Sequence, residues 1–91
     1  MVIIPLVNVI NWTKKARKQL GPIPRHDVER IIDAVGSLAK WPDVANVKAL
    51  SERNDYRLRV GRYRVLFSVT PGGEVTVILI EEVKKRDEHT Y

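Results

Sequence analysis

The sequence predicts an α+β fold in which an N-terminal strand and a helical hairpin pack on a mainly antiparallel β-sheet, in the order β-α-α-β-β-β. Two observations support this prediction. Apolar residues recur at three- and four-residue spacing between positions 25 and 40, which is typical of a helix with one buried face. From position 56 onward, apolar and polar residues alternate in short runs that turn residues separate, which is typical of paired strands. The 91 residues are expected to form a single domain, 1–91.

The first strand is predicted at Val2–Val9, where Pro5 favours an edge position or a bulge. A short helix follows this strand. Asn11 or Thr13 is expected to cap the start of the helix, and Gly21-Pro22 is expected to end it. The charged side chains of this segment are all basic, so we expect it to present a positive surface.

The second helix is predicted from about Pro24 or Arg25 to about Lys40, where Trp41-Pro42-Asp43 ends it. Only a few residues separate the two helices, so they are expected to form an antiparallel hairpin. The expected buried stripe of the second helix consists of Val28, Ile31, Ile32, Val35, Leu38 and Ala39.

The second half of the chain is predicted to be β-structure. In chain order its segments are a short strand or lead-in at Val47–Leu50, a turn at Asn54-Asp55, a hairpin of strands Tyr56–Val60 and Tyr63–Thr70, a turn at Pro71-Gly72-Gly73, a strand at Glu74–Ile80 and a charged tail at Glu81–Tyr91. The strand Glu74–Ile80 is apolar on both faces, which is typical of a central strand covered on both sides.

The hairpin contains four arginines within eight residues and no acidic residue among them. Because side chains alternate along a strand, Arg57 and Arg59 share one face, while Leu58 and Val60 share the other. If the helices cover the apolar face, Arg57, Arg59 and Arg64 project from the opposite face. Each guanidinium is a planar fork of donors that stays charged at cellular pH, so a fixed group of them suits phosphate.

The composition limits the classes of partner and the types of catalytic or metal site that the chain can have. Sixteen Lys and Arg against eleven Asp and Glu give a formal net charge of +5, which favours a polyanionic partner. The absence of cysteine excludes disulfides, thiolate catalysis and Cys-ligated zinc. The two histidines, His26 and His89, are far apart in the sequence, so we expect no metal site and no cofactor. The apolar stretch 1–10 is too short for a membrane span and has no signal-peptide features, so we expect a cytoplasmic protein without membrane contact.

The chain resembles the RelE branch of the RelE/ParE toxin superfamily. The segments that carry this resemblance are the helical hairpin, Lys48-Ala49-Leu50, the segment Tyr56–Phe67, the apolar strand and the tail Lys84–Tyr91. The resemblance implies the toxin of a toxin–antitoxin system. Its activity would be a metal-independent endoribonuclease that cuts messenger RNA in the ribosomal A site by attack of a 2′-hydroxyl on the neighbouring phosphate, which inhibits translation. The implied partners are a cognate antitoxin, in a toxin–antitoxin hetero-oligomer, and messenger RNA, with further contacts to ribosomal RNA.

The resemblance also implies catalytic roles. Arg64 matches the arginine just after the hairpin turn that contacts the scissile phosphate, and Arg59 is expected to stabilise the phosphorane with it. Lys85 matches a tail position that is proposed as the general acid, and His89 is a second candidate for that role. Tyr91 matches a tyrosine that stacks on or orients a nucleotide.

Seven further basic residues are predicted to bind RNA: Arg57, Lys48, Arg62, Lys84, Arg86, Lys14 and Lys18. Arg86 takes the place of Lys85 if the alignment of the tail shifts by one residue. Arg57 and Arg59 stand where lysines are frequent in the family, one of them a proposed general base. The pKa of arginine lies far above neutrality, so the base stays unassigned. Two alternatives therefore stay open, a ParE-like inhibitor of DNA gyrase and a catalytically inactive binding module with the RelE fold.

Overall fold

The structure, a computed structural model, describes residues 7–50 and 54–85. Its elements in chain order are β1 Val7–Trp12, α1 Lys14–Gln19, α2 Arg25–Gly36, a 3₁₀ helix Ser37–Lys40, β2 Val47–Ala49, β3 Asp55–Val60, β4 Tyr63–Thr70 and β5 Val75–Lys85. The predicted α+β fold, an N-terminal strand and a helical hairpin on a mainly antiparallel sheet, is confirmed. Across the described ranges, no helix is long and apolar enough to cross a membrane.

The five strands form one sheet in the order β1-β5-β4-β3-β2. β1 runs parallel to β5, and the other neighbours are antiparallel. β5 lies between β1 and β4, as its two apolar faces predicted. The core fills the space between the helices and one sheet face, and its buried members are Ala16, Ile31, Val35, Leu38, Leu58, Val60, Tyr63, Val65, Phe67, Val69, Ile78, Ile80 and Val83.

β1 ends at Trp12, three residues later than predicted, because positions 10–12 pair with Ile78–Ile80 of β5. Asn11 therefore lies within the strand and does not cap the helix. Thr13 is the cap, and its Oγ1 accepts a hydrogen bond of 3.0 Å from the backbone N–H of Ala16. The start of the predicted strand, including Pro5, lies outside the described residues.

α2 is shorter than predicted and ends at Gly36, and the following turn is 3₁₀. Glycine is a poor helix former, and the hydroxyl of Ser37 donates a hydrogen bond to the carbonyl of Ala34, which competes with helical bonding. The predicted buried stripe is only partly right. Ile32 is half exposed, and Ala39 lies on the exposed side of the 3₁₀ turn.

β5 continues to Lys85, five residues beyond its predicted end, and α1 explains why. β1 stops opposite Ile80, and α1 supplies partners to the edge of β5 from that point. Thr13 donates to the carbonyls of Ile80 and Glu81 at 3.0 and 3.1 Å, and the Gln19 amide oxygen accepts from the N–H of Val83 at 2.7 Å. Because the strand edge is paired in this way, charged residues after Ile80 stay in the sheet.

A β-bulge opposite the Leu66/Phe67 step changes which residues of β5 face the core. Before the bulge the even positions Ile78 and Ile80 are buried, and after it the odd position Val83 is buried. The extra residue reverses the alternation of faces along the strand. Asp55, predicted in a turn, is the first residue of β3.

Candidate nucleic-acid interface

Among the residues that the structure describes, five basic side chains project from the sheet face that the helices leave open. Their faces follow from the pairing register, since their strand neighbours Leu58, Val60, Val65 and Val83 are buried in the core. This surface, the basic face, consists of Lys48 on β2, Arg57 and Arg59 on β3, Arg64 on β4 and Lys84 on β5.

The basic face places like charges directly opposite each other across neighbouring strands. Lys48 is paired with Arg57, Arg59 with Arg64, and Arg64 with Lys84, so one row of cations crosses β3, β4 and β5. Directly opposed side chains have Cβ atoms only about 4.5–5.5 Å apart, and like charges at that separation destabilise a sheet. The fold therefore tolerates a repulsive arrangement that an anionic ligand would relieve.

Within residues 7–50 and 54–85, the guanidinium groups of the basic face, those of Arg57, Arg59 and Arg64, form no salt bridge. The Nε atoms of Arg57 and Arg64 are buried and have no hydrogen-bond partner among the described residues. Buried polar atoms are nearly always hydrogen-bonded, so these two donors mark a place where an external acceptor fits.

Glu82 also lies on this face, opposite Leu66. Its two carboxylate oxygens are 2.6 Å from Nζ of Lys15 and 3.7 Å from Nζ of Lys84. The hydrogen bond from Lys15, together with the positive charges of Lys15 and Lys84, lowers the pKa of Glu82 against the opposing effect of burial. The sequence did not indicate this residue because positions 81–85 were assigned to a tail.

Substitution of Glu82 by Gln is expected to lower stability at about pH 7 and to leave it unchanged near about pH 2. The pKa of Glu82 is lower in the folded chain than in the unfolded chain, so its contribution is present above the unfolded pKa and is lost as the pH falls through the folded pKa. Urea unfolding at the two pH values measures the difference. The matched control is Glu29→Gln, which removes an exposed pair with Arg25 and should change little at either pH.

Lys85 is not part of the basic face. It is paired with Tyr63, whose ring is buried in the core, so it projects from the helix side of β5. The structure brings Lys84 next to Arg64 instead, because the bulge reverses the alternation of faces along β5. The role of Lys85 as general acid stays a prediction. The predicted roles of Arg86, His89 and Tyr91 lie outside the described residues and stay predictions.

The remaining predicted RNA contacts lie around the basic face. Lys14 and Lys18 are exposed on α1, and Lys15 of the same helix reaches Glu82 at the border of the face. Arg62 is exposed in the β3–β4 turn, beyond the end of the row of cations. Together these positions extend the positive surface in two directions, along α1 and around the hairpin turn.

The hairpin turn also borders a polar contact that the sequence did not indicate. The hydroxyl of Tyr63 donates a hydrogen bond of 2.9 Å to Oδ2 of Asp27 on α2. This bond, with burial and the negative charge of Asp27, raises the pKa of Tyr63, while the charge of Arg62 lowers it. The contact links the start of α2 to the first residue of β4.

This arrangement can bind a phosphate and stabilise negative charge that develops on it. Fixed cationic donors contribute about 3–4 kcal/mol each to such a transition state where water is excluded. A general acid or base would increase the rate of cleavage by roughly 10²–10⁴-fold. Within residues 7–50 and 54–85 the basic face carries no histidine that could take this role. Over the same residues, no group of three potential ligands is placed to hold a metal ion.

Comparison with known proteins gives one family and a set of similar folds. The profile of the family described as "ParE toxin of type II toxin-antitoxin system, parDE" matches residues 10–89. An archaeal RelE-RelB complex from Pyrococcus horikoshii OT3 contains a chain with 26% identity, a TM-score of 0.71 and coverage of 89% of this chain and 97% of that chain. No curated protein matches the sequence significantly.

Two further solved structures have the same fold at lower identity. A chain of the RelBE2 toxin-antitoxin complex from Mycobacterium tuberculosis has 24% identity and a TM-score of 0.69, and the match covers 89% of this chain and 100% of that chain. The isolated RelE toxin from E. coli has 14% identity and a TM-score of 0.70, with coverage of 90% and 87%.

Proposed function

This chain belongs to the ParE toxin family and is therefore the toxin of a type II toxin–antitoxin system, and we propose that it acts as an endoribonuclease that cuts messenger RNA on the ribosome. Cleavage proceeds by attack of a ribose 2′-hydroxyl on the adjacent phosphate, without a metal ion. The products are a cyclic phosphate and a free 5′-hydroxyl.

The observation that supports this proposal is the row Arg59, Arg64 and Lys84 across three adjacent strands. A purely structural sheet face gains nothing from directly opposed cations, whereas a phosphorane with an additional negative charge requires them. The Nε donors of Arg57 and Arg64, which have no hydrogen-bond partner in the part of the chain that the structure describes, lie within this surface. Arg64 is central to it, because it is paired with cations on both sides.

We assign transition-state stabilisation to Arg64 and Arg59, and phosphate binding to Arg57, Lys48 and Lys84. Proton donation to the leaving 5′-oxygen is assigned to the carboxy-terminal segment. His89 is the candidate there because histidine is the usual proton-transfer residue near neutral pH, and Tyr91 would hold a nucleobase. Lys85 is the weaker candidate for this proton, because it projects from the other face of β5. No residue is assigned as the general base that takes the proton of the 2′-hydroxyl.

The proposed regulatory partner is an antitoxin, and the surface beside the basic face suits it. Val7, Val9 and Val75 are exposed large apolar side chains on the neighbouring strands β1 and β5. Exposed apolar strips of this kind are typical of protein interfaces. Four of the similar structures are complexes of RelE with RelB or of RelBE type, which supports the same partner class for this chain.

The test is primer extension on messenger RNA isolated after the chain is induced in a bacterial host. We expect new 5′ ends in translated regions, spaced by codons, and we expect them to disappear when translation initiation is blocked. Intact messages together with broken chromosomes would instead assign the chain to inhibition of DNA gyrase, the ParE-like alternative, which the match to a ParE toxin family leaves open. Intact messages without DNA damage would indicate an inactive binding module.

A further inference from the structure

A cavity of about 270 Å³ lies between the start of α2 and the turn of the β3–β4 hairpin. It is lined by the side chains of His26, Asp27, Arg30, Arg62 and Tyr63 and by the backbone of Gly61. None of these residues except Arg62 was indicated by the sequence. The cavity is on the helix side of the sheet, since Tyr63 faces the core, and it is therefore separate from the basic face.

The side chain of Arg30 lies next to the hairpin turn. Gly61 has a positive φ of 57°, and a Cβ atom at that position would lie 3.6 Å from Nη2 of Arg30. No salt bridge of the described residues involves Arg30, although its helix neighbour Arg25 lies 3.5 Å from Glu29. The guanidinium of Arg30 is exposed and lies over the turn, so its charge is available to a ligand.

The charges around the cavity favour an anion. Of the described residues that line it, two arginines, Arg30 and Arg62, oppose one carboxylate, Asp27. One oxygen of that carboxylate already accepts the hydrogen bond from Tyr63. A ligand that enters therefore meets two guanidinium forks and a carboxylate that is turned toward a neutral hydroxyl.

The cavity and the basic face meet at the same end of the hairpin. The last pair of the ladder, Val60 with Tyr63, faces the cavity, and the next pair, Arg59 with Arg64, faces the other side. Successive residues of a strand are only about 3.3 Å apart, and an arginine side chain extends well beyond that distance. A single polyanionic strand that bends around the Gly61-Arg62 turn can contact both surfaces.

We propose that this cavity is a second phosphate-binding site, which holds a backbone phosphodiester of the same RNA strand whose scissile phosphate lies on the basic face. Arg30 and Arg62 bind the phosphate oxygens, and the turn sets the distance to Arg59 and Arg64. The proposal rests on the proposed function, which supplies both the RNA strand and its scissile phosphate on the basic face. The second site gives a role to Arg62 of the hairpin turn, which is not part of the row of cations.

The test measures binding of a 2′-O-methyl oligoribonucleotide, which cannot be cleaved, by fluorescence anisotropy at several salt concentrations. Arg30→Gln is expected to weaken binding about 5-fold and to reduce the slope of log K against log salt by about 0.7, the value for one phosphate contact on a single strand. The matched control is Arg25→Gln on the same helix, whose guanidinium is near Glu29 and outside the cavity. Equal slopes for Arg30→Gln and Arg25→Gln would overturn the site.

Asp27→Asn tests the sign of the charge. This variant keeps an oxygen that accepts from Tyr63 but removes the negative charge, so RNA binding is expected to tighten by about 2- to 5-fold. Weaker binding by a variant that unfolds at the wild-type urea concentration would contradict an anion site. Inorganic phosphate at constant ionic strength is expected to displace RNA from the wild-type chain and not from Arg30→Gln, because it competes for the same site. Phosphate binding that depends on Arg30 but leaves RNA binding unchanged would assign the cavity to free phosphate and reject RNA.

The same variants separate this site from the nuclease proposal. If Arg30→Gln changes the salt slope but Arg64→Ala cuts messages as well as wild type, the second site stands and the nuclease assignment fails. If Arg64→Ala abolishes cleavage while Arg30→Gln binds like Arg25→Gln, the nuclease assignment stands and the second site is wrong.

Discussion

Arg64→Ala is expected to reduce messenger RNA cleavage by roughly 10²–10³-fold, the cost of removing one fixed donor from an oxyanion-type site. Arg64 lies at the centre of the row of cations, between Arg59 and Lys84, and its buried Nε has no partner among the described residues. The measurement is single-turnover cleavage on a programmed ribosome, with growth arrest after induction as the cellular readout.

The same substitution is expected to leave stability unchanged or slightly higher, because it removes a charge that two neighbouring cations repel. A residue with a structural role would show the opposite pattern, with lost stability and retained rate per folded molecule. Arg64→Lys keeps the charge but loses the planar fork, so an intermediate rate is expected. Arg25→Ala, on the exposed surface of α2, is the control for a general loss of positive charge. Full activity of Arg64→Ala would remove Arg64 from the site.

The face that carries the arginines could be predicted from the sequence because it depends only on the two-residue period of a strand. Leu58 and Val60 are buried, and Arg57 and Arg59 project from the other face, as the alternation required. Arg64 followed from the two-residue turn at Gly61-Arg62. Local period and turn chemistry therefore predicted the part of the basic face that lies within one hairpin.

Lys84 and Glu82 could not be placed by the same reasoning, because their position depends on contacts distant in sequence. α1 pairs the edge of β5 through Thr13 and Gln19, and this extends the strand into a segment whose charges indicated a tail. A signal for the bulge was present in the sequence, since the apolar positions of this segment change from 78 and 80 to 83. A strand that changes its apolar parity contains one extra residue, and that residue decides between Lys84 and Lys85.

The cavity at the hairpin turn was also beyond sequence reasoning. His26, Asp27 and Arg30 belong to a helix whose exposed face has charges of both signs, and such a face is normally solvated. Only the packing of α2 against the turn brings Arg30 over Gly61. Helix-to-turn contacts depend on how the layers pack, and no periodicity within either element encodes them.

Phe67→Ala is expected to reduce the free energy of unfolding by about 3–5 kcal/mol, which is a large part of the total of roughly 5–15 kcal/mol for a small domain. Phe67 is 1% exposed, stacks on Tyr56 with ring centroids 5.6 Å apart and meets Trp41 edge-on at 5.5 Å. The truncation removes this aromatic contact and leaves a cavity beneath the centre of the sheet. Urea unfolding followed by tryptophan fluorescence measures the loss.

Leu66→Ala is the matched control, because Leu66 is the neighbouring residue on β4 but is half-buried on the open face. Its truncation removes fewer packed atoms, so a cost well below that of Phe67→Ala is expected. The comparison also tests the placement of the arginines, since Leu66 shares its face with Arg64 and Phe67 shares its face with the core. A larger cost for Leu66→Ala would mean that the faces of β4 are exchanged. The cations that share a face with Leu66 would then point toward the helices. Neither the basic face nor the cavity at the hairpin turn would then exist in the form described.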